Sequence, residues 1–130
     1  MFAGEVDLKT WYKPNIDKKI LKKLSKRSDF KGIVDISIFI IMLLISGYLC
    51  IFTWGTLWSI PALLLYGNIF YCKIISIQHE TNHETYFKTR GLNKFFYHIT
   101  SLLGGFEAVR WKWSHFHHHT YTIFTHEEVY

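Results

Sequence analysis

Two long apolar runs dominate this chain. The run at 33–52, IVDISIFIIMLLISGYLCIF, holds one charged residue, Asp35, and the run at 58–77, WSIPALLLYGNIFYCKIISI, also holds one, Lys73. Each run is 20 residues long, which is the length that a helix needs to cross the hydrocarbon core of a bilayer. A soluble protein of 130 residues could hardly cover two helices that are apolar all round. We therefore predict a two-helix transmembrane hairpin, connected by residues 53–57.

Helical periodicity continues on both sides of the hairpin. Before it, apolar residues recur at helical spacing among lysines: Ile16, Ile20, Leu21 and Leu24. After it, a second apolar series runs up to and past a pair of glycines: Phe95, Ile99, Leu102, Leu103 and Phe106. Both patterns favour amphipathic helices at a membrane surface. The predicted class is an all-α integral membrane protein, with a basic amphipathic arm at 1–32, the hairpin at 33–77 and a helical tail at 78–130.

Charge is distributed unevenly along the chain. Residues 1–31 contain nine Lys or Arg against four acidic residues, which accounts for the whole net charge of +5. The connection at 53–57 is uncharged, whereas the segment after the second run is again basic. By the positive-inside bias, both ends of the chain then face the cytoplasm. Because the basic arm lies so close to a predicted span, we expect it to contact anionic membrane lipid. We expect no nucleic-acid partner.

The first histidine cluster follows the second apolar run. The sequence QHETNHETYF contains His79 and His83, four positions apart. On a helix these two imidazoles lie on one face and could bind one metal ion. Taken alone, this spacing is common on solvated helices and has little weight.

The second cluster, in RWKWSHFHHHTYT, is denser. One helical turn would point His115, His118 and His119 the same way, while His117 falls near the opposite side. Imidazole binds zinc, iron, copper and nickel, so the histidines do not name the metal. A catalytic zinc uses three protein ligands, and five convergent imidazoles therefore favour a second ion. The predicted metal ligands are His79, His83, His115, His118 and His119.

These two clusters carry a resemblance to a known family. HETNH, followed after 31 residues by HFHHH, resembles the H-x-x-x-H and H-x-x-H-H histidine boxes of the membrane-bound fatty acid desaturases and related hydroxylases. The segments FKTRGLN and WKWSHFHHHTYT look like bacterial members, and the resemblance covers roughly residues 9–130. It implies two iron ions held by the five histidines at the cytoplasmic membrane face. It also implies dioxygen as co-substrate and the removal of two hydrogens from an acyl chain.

The resemblance implies partners as well. The substrate would be an acyl lipid, an acyl-CoA or an acyl-carrier thioester, and the electron donor a protein such as ferredoxin or cytochrome b5. Histidine ligands usually need a partner for their second ring nitrogen. Residues of suitable chemistry near the two clusters are Glu80, Asn82, Glu84, Glu107 and His117. Three aromatic residues flank the second cluster: Trp111, Trp113 and Tyr121. They could line the path of the acyl chain, but we expect them to be aromatic anchors at a membrane interface.

The sequence departs from the family pattern in one respect. The family carries a third histidine box, downstream of a second pair of spans, whereas this sequence ends at Tyr130 with only His126 after the second cluster. We expect the 130 residues to be the N-terminal part of a longer enzyme and to be inactive alone.

Three alternatives stay open at the level of sequence. HETNH also matches H-E-x-x-H, in which two histidines hold zinc and Glu80 would be the general base of a membrane metalloprotease. Hydroxylation of a lipid or alkane begins with the same hydrogen abstraction as desaturation. A haem protein that passes electrons is the non-enzymatic alternative, but its axial histidines would lie inside the spans, and neither apolar run contains one.

Overall fold

The computed structural model describes residues 15–121, and all regular structure in that part of the chain is α-helical. Five helices follow one another there: α1 Lys18–Leu24, α2 Asp29–Phe52, α3 Ser59–Asn82, α4 Arg90–Gly104 and α5 Ala108–Tyr121. The predicted all-α class is confirmed for the described residues. Most of the predicted arm before α1, residues 1–14, lies outside them, as does the end of the chain from residue 122, including His126.

Helices α2 and α3 are long and apolar enough to cross a membrane. Each has 24 residues, yet only 17% of the apolar window of α2 and 11% of that of α3 is buried within the protein. A core helix of a soluble protein would be covered mostly by its own chain. The exposed apolar faces of α2 and α3 are therefore suited to contact lipid.

Both helices extend beyond the apolar runs that predict them. Helix α2 begins at Asp29, because the side chain of Ser28 caps it by accepting a hydrogen bond from the backbone N–H of Lys31 at 3.4 Å. Helix α3 continues past residue 77 to Asn82. As a result, His79 lies on the same continuous helix as the second apolar run.

The two charged residues of the apolar runs pair with each other. Lys73 Nζ lies 2.7 Å from the carboxylate of Asp35, and the hydroxyl of Tyr86 donates a hydrogen bond to the same carboxylate. An unpaired charge inside a bilayer is costly. The pair therefore fixes the register of α2 against α3, and Tyr86 attaches the connection after α3 to both helices.

Helix α4 packs against the C-terminal half of α3. Ile74 and Ile77 are each only 2% exposed in this interface, and the buried amide of Gln78 donates to Ser101 Oγ at 3.4 Å. The helix ends at the predicted glycine pair because Gly105 takes the left-handed conformation, with φ of 74°. Its opposite face exposes a row of apolar side chains: Phe95, Ile99, Leu102 and Leu103.

The connection from α3 to α4 is fastened from both sides. Asn93 of α4 is fully buried and accepts from the backbone N–H of Phe87 at 3.0 Å, while its amide donates to the carbonyl of Phe87 at 2.9 Å. The Phe87 ring is also fully buried and lies directly over Gly32 of α2. These contacts hold the end of α3, and so His83, in a fixed position.

The turn between α4 and α5 is also held at both ends. Tyr97 of α4 donates its hydroxyl to the carbonyl of Ala108, and the carboxylate of Glu107 caps α5 by accepting from the backbone N–H groups of Val109, at 3.1 Å, and Arg110. These bonds fix the start of α5, which returns to the C-terminal end of α3.

Candidate metal centre

The C-terminal end of α3 presents the first two histidines. His79 lies in the last turn and His83 is the residue that caps the helix. Their ring centroids are 4.7 Å apart, with the planes at 74°. Four residues advance an α-helix by slightly more than one turn, which places both rings on one face.

Helix α5 presents a second pair in the same way. The rings of His115 and His119, again four positions apart, have centroids 4.5 Å apart and planes at 85°. Their ring nitrogens are close as well, because His119 Nε2 lies 3.0 Å from His115 Nε2.

The two pairs meet in one group. His83 Nε2 lies 3.0 Å from His115 Nε2, across 32 positions of sequence. One ring nitrogen from each of four histidines falls within 4.8 Å of all the others: His79, His83, His115 and His119. Two helices that are far apart in the sequence thus bring four imidazole nitrogens into one group.

Two of the separations between these nitrogens suit neighbouring ligands of one transition-metal ion. Two nitrogens each about 2.1 Å from one ion lie roughly 3.0 Å apart when they subtend a right angle and about 3.4 Å apart at the tetrahedral angle. The two Nε2–Nε2 distances of 3.0 Å agree with such neighbouring ligands. Because all four donors are imidazoles, the set suits iron, zinc, copper or nickel better than magnesium or calcium.

The surroundings keep the central rings neutral. Burial, together with repulsion from the neighbouring imidazoles, lowers the pKa of His115 to about 4. Burial and the neighbours His79 and His119 also lower the pKa of His83, while the Glu80 carboxylate opposes that shift. A metal binds only the neutral form of imidazole, so both rings are in the binding form at neutral pH.

The other two histidines of the second cluster lie beside the group. The ring centroid of His118 is 6.2 Å from that of His115 and 5.7 Å from that of His119, and its nitrogens are not among the four that converge. His117 points elsewhere and stacks on Tyr121 at 5.7 Å. The role of His118 as a ligand stays a prediction.

Two of the residues proposed as partners for the second ring nitrogens come from the same helix as His79. Glu80 Oε1 is 3.6 Å from His79 Nδ1, and Glu80 Oε2 accepts a hydrogen bond from the Thr85 hydroxyl at 2.7 Å. At 3.6 Å the carboxylate lies beside the imidazole of His79, at a distance too long for a hydrogen bond. The side-chain oxygen of Asn82 is buried, and it has no hydrogen-bond partner among the described residues.

Two other acidic residues have different partners. Arg90 Nε donates to Glu84 Oε2 at 2.8 Å, and this bond lowers the pKa of the Glu84 carboxyl. Glu107 caps the first turn of α5. Their contacts hold the connection after α3 and the start of α5, so they act on the position of the histidines from a distance.

Trp111 is a component of the site for which the sequence pattern predicted another role. Its indole stacks on His115 with centroids 4.5 Å apart and planes only 14° from parallel. The available signal was the spacing, since Trp111 precedes His115 by four positions on one helix. That signal also fits a membrane anchor, and the anchoring role stays a prediction.

Comparison with known proteins agrees with this geometry. A family model described as fatty acid desaturase matches residues 52–129, which include all of α3, α4 and α5. No curated protein and no solved structure matches the chain. The match covers more than half of the sequence and both histidine clusters. The chain therefore belongs to the fatty acid desaturase family, a family of membrane oxidoreductases that act on acyl lipids and typically carry two irons.

Proposed function

We propose that this protein acts in the dioxygen-dependent removal of two hydrogens from an acyl chain, with iron held by its histidine clusters. The observation that carries the proposal is the convergence of four imidazole nitrogens, within 4.8 Å, at the end of a helix long and apolar enough to span a membrane. Family membership supports the acyl substrate. The proposed ligands are His79, His83, His115 and His119, together with His118 toward a second ion.

The proposed topology brings the substrate to the metal. Helices α2 and α3 would cross the bilayer as a hairpin, with the arm 1–32 and the tail 78–130 on the cytoplasmic side. An acyl chain is dissolved in the bilayer, and the apolar face of α3 leads directly to His79 and His83. A lipid that slides along this face would meet the histidine group at the membrane surface.

The chemistry requires a redox metal, because side-chain acids and bases do not break an alkyl C–H bond. Iron bound by these imidazoles would supply dioxygen activation and one-electron chemistry. The protein's own residues have simpler tasks. His83 and His115 stay neutral at pH 7 because burial and like-charge neighbours lower the pKa of each. The carboxylate of Glu80 lies beside His79, and the pairing of Asp35 with Lys73 holds α2 against α3.

Iron binding by the full chain is the first test. We expect the protein, purified in detergent and loaded anaerobically with Fe(II), to retain iron, and His83→Ala and His115→Ala to lose most of it. His98→Ala is the matched control, since His98 is an exposed residue of α4 whose ring packs on Tyr97. Equal iron content in all four proteins, measured by mass spectrometry of the metal, would contradict the proposal.

The reaction itself is tested with a saturated acyl lipid, dioxygen and a reduced electron donor. Loss of two mass units from the extracted lipids, as two hydrogens, would identify desaturation, and it would overturn the expectation that these 130 residues are inactive alone. A gain of one oxygen would favour the related hydroxylation. Zinc in place of iron, with peptide hydrolysis that Glu80→Gln abolishes, would instead favour a metalloprotease.

A further inference from the structure

Trp111 lies against the histidine group from two directions. Its indole face covers the ring of His115 at 4.5 Å, and its ring is also 6.4 Å from His79, where the planes meet at 83°. One side chain of α5 therefore contacts a histidine from each of the two helices that form the group.

The indole is supported from behind. The ring of Tyr97 is 6.4 Å from that of Trp111, and the ring of Phe106 is 6.3 Å away. Tyr97 is only 6% exposed, and its hydroxyl is bonded to the carbonyl of Ala108. Phe106 packs directly over Gly104, where an added Cβ would lie 2.8 Å from its ring. Since both supports are fixed in place, the indole cannot easily move away from the imidazole.

Stacking on Trp111 controls the direction in which the nitrogen lone pair of His115 points. The lone pair of an imidazole nitrogen lies in the plane of the ring, so an indole that fixes this plane also fixes the direction of Nε2. Moreover, an imidazole bound to a metal ion carries more positive charge than a free one, and the face of an indole attracts positive charge. The stack therefore favours the metal-bound state over the free state.

We propose that Trp111 is a positioning residue of the metal centre, which holds the His115 ring in the orientation that binds the ion and stabilises the bound form through its indole face. This inference rests on the proposed metal centre. It assigns to Trp111 a role distinct from anchoring the chain at a membrane interface.

The same helix supplies a matched control. Trp113 is two positions further along α5, is 62% exposed, and has its ring 6.3 Å from Phe116. If tryptophans on α5 served only as interfacial anchors, replacement of either would have similar effects.

The test is a titration of the full chain in detergent micelles with Co²⁺, whose absorption spectrum reports the ligands around the ion. We expect Trp111→Ala to weaken Co²⁺ binding about tenfold, which is the lower end of the usual effect of changing a residue that supports a ligand. Trp111→Phe keeps an aromatic face and is expected to restore most of the affinity. Trp113→Ala is expected to bind as the parent does. Circular dichroism identifies any variant that has lost its helices.

A second measurement does not depend on the alanine variant folding. Bound Co²⁺ quenches the fluorescence of a nearby tryptophan, so Trp111→Phe is expected to lose a larger part of the quenched emission than Trp113→Phe does. An equal loss in the two variants would overturn the inference, as would parental affinity in a folded Trp111→Ala. Failure of the parent chain to bind Co²⁺ would instead overturn the metal centre itself, together with this inference.

Discussion

Within the histidine group, the fold lowers the pKa of His115 by a large amount. His115 lies at the centre of the group, with the face of Trp111 on one side and the nitrogens of His83 and His119 each 3.0 Å away. Burial of the ring, and then the neighbouring imidazoles, lower its pKa to about 4, compared with about 6.5 for an exposed imidazole. The difference makes His115 a source of pH-dependent stability in the metal-free protein.

We expect the metal-free chain to lose stability as the pH falls from about 6.5 to about 4. In that window the unfolded state takes up a proton at residue 115 and the folded state does not, so stability rises with pH. Thermal unfolding in detergent at a series of pH values measures the effect. His115→Gln removes the titrating group, and the same slope in that variant and in the parent would refute the assignment.

At the scale of elements, the centre depends on how the connection after α3 packs against α2. The buried ring of Phe87 lies over Gly32, and a Cβ added at Gly32 would be 2.5 Å from that ring. The ring has little room to move, because it also stacks on Phe96 at 5.1 Å.

Gly32→Ala is therefore expected to reduce the free energy of unfolding by about 1–3 kcal/mol, as overpacking of a filled interior usually does. It should also weaken metal binding, since the connection that it displaces begins at His83. Gly67→Ala is the matched control: Gly67 is inside α3, and an added Cβ there meets nothing within 4 Å. Denaturant titration of both variants, followed by a Co²⁺ titration, measures the two effects. Equal stability of Gly32→Ala and the parent would contradict the packing described above.

The helices could be predicted from the sequence, but one contact between them could not. Run length and periodicity predicted α2, α3 and the glycine-terminated α4, because those signals are local. The pairing of Asp35 with Lys73 was not predicted, although each residue was recognised as the single charge of its run. Their meeting depends on how α2 lies against α3, which is decided by contacts between two separate segments of the chain.

At the scale of the whole molecule, the distribution of charge predicts an orientation in the membrane. The uncharged connection at 53–57 is expected on the outer side, and the basic tail, with its histidines, on the cytoplasmic side. Labelling of single cysteines tests this prediction in a background that lacks Cys50 and Cys72. In intact cells a membrane-impermeant maleimide is expected to label Thr56→Cys, whereas Lys88→Cys is labelled only after the cells are opened. Labelling of both from the same side would refute the hairpin.

The sequence by itself determined the helical class, the two candidate spans and the spacing of the histidine clusters, because each of these follows from the length or period of one continuous segment. Only the tertiary structure decided which imidazoles meet. On α5, His118 and His119 lie on either side of the direction of His115, at about 60° and 40° from it respectively. Spacing alone therefore left both as ligands. The four-nitrogen group includes His119 because the fastened turns around Asn93 and Glu107 set the direction from which α5 approaches α3.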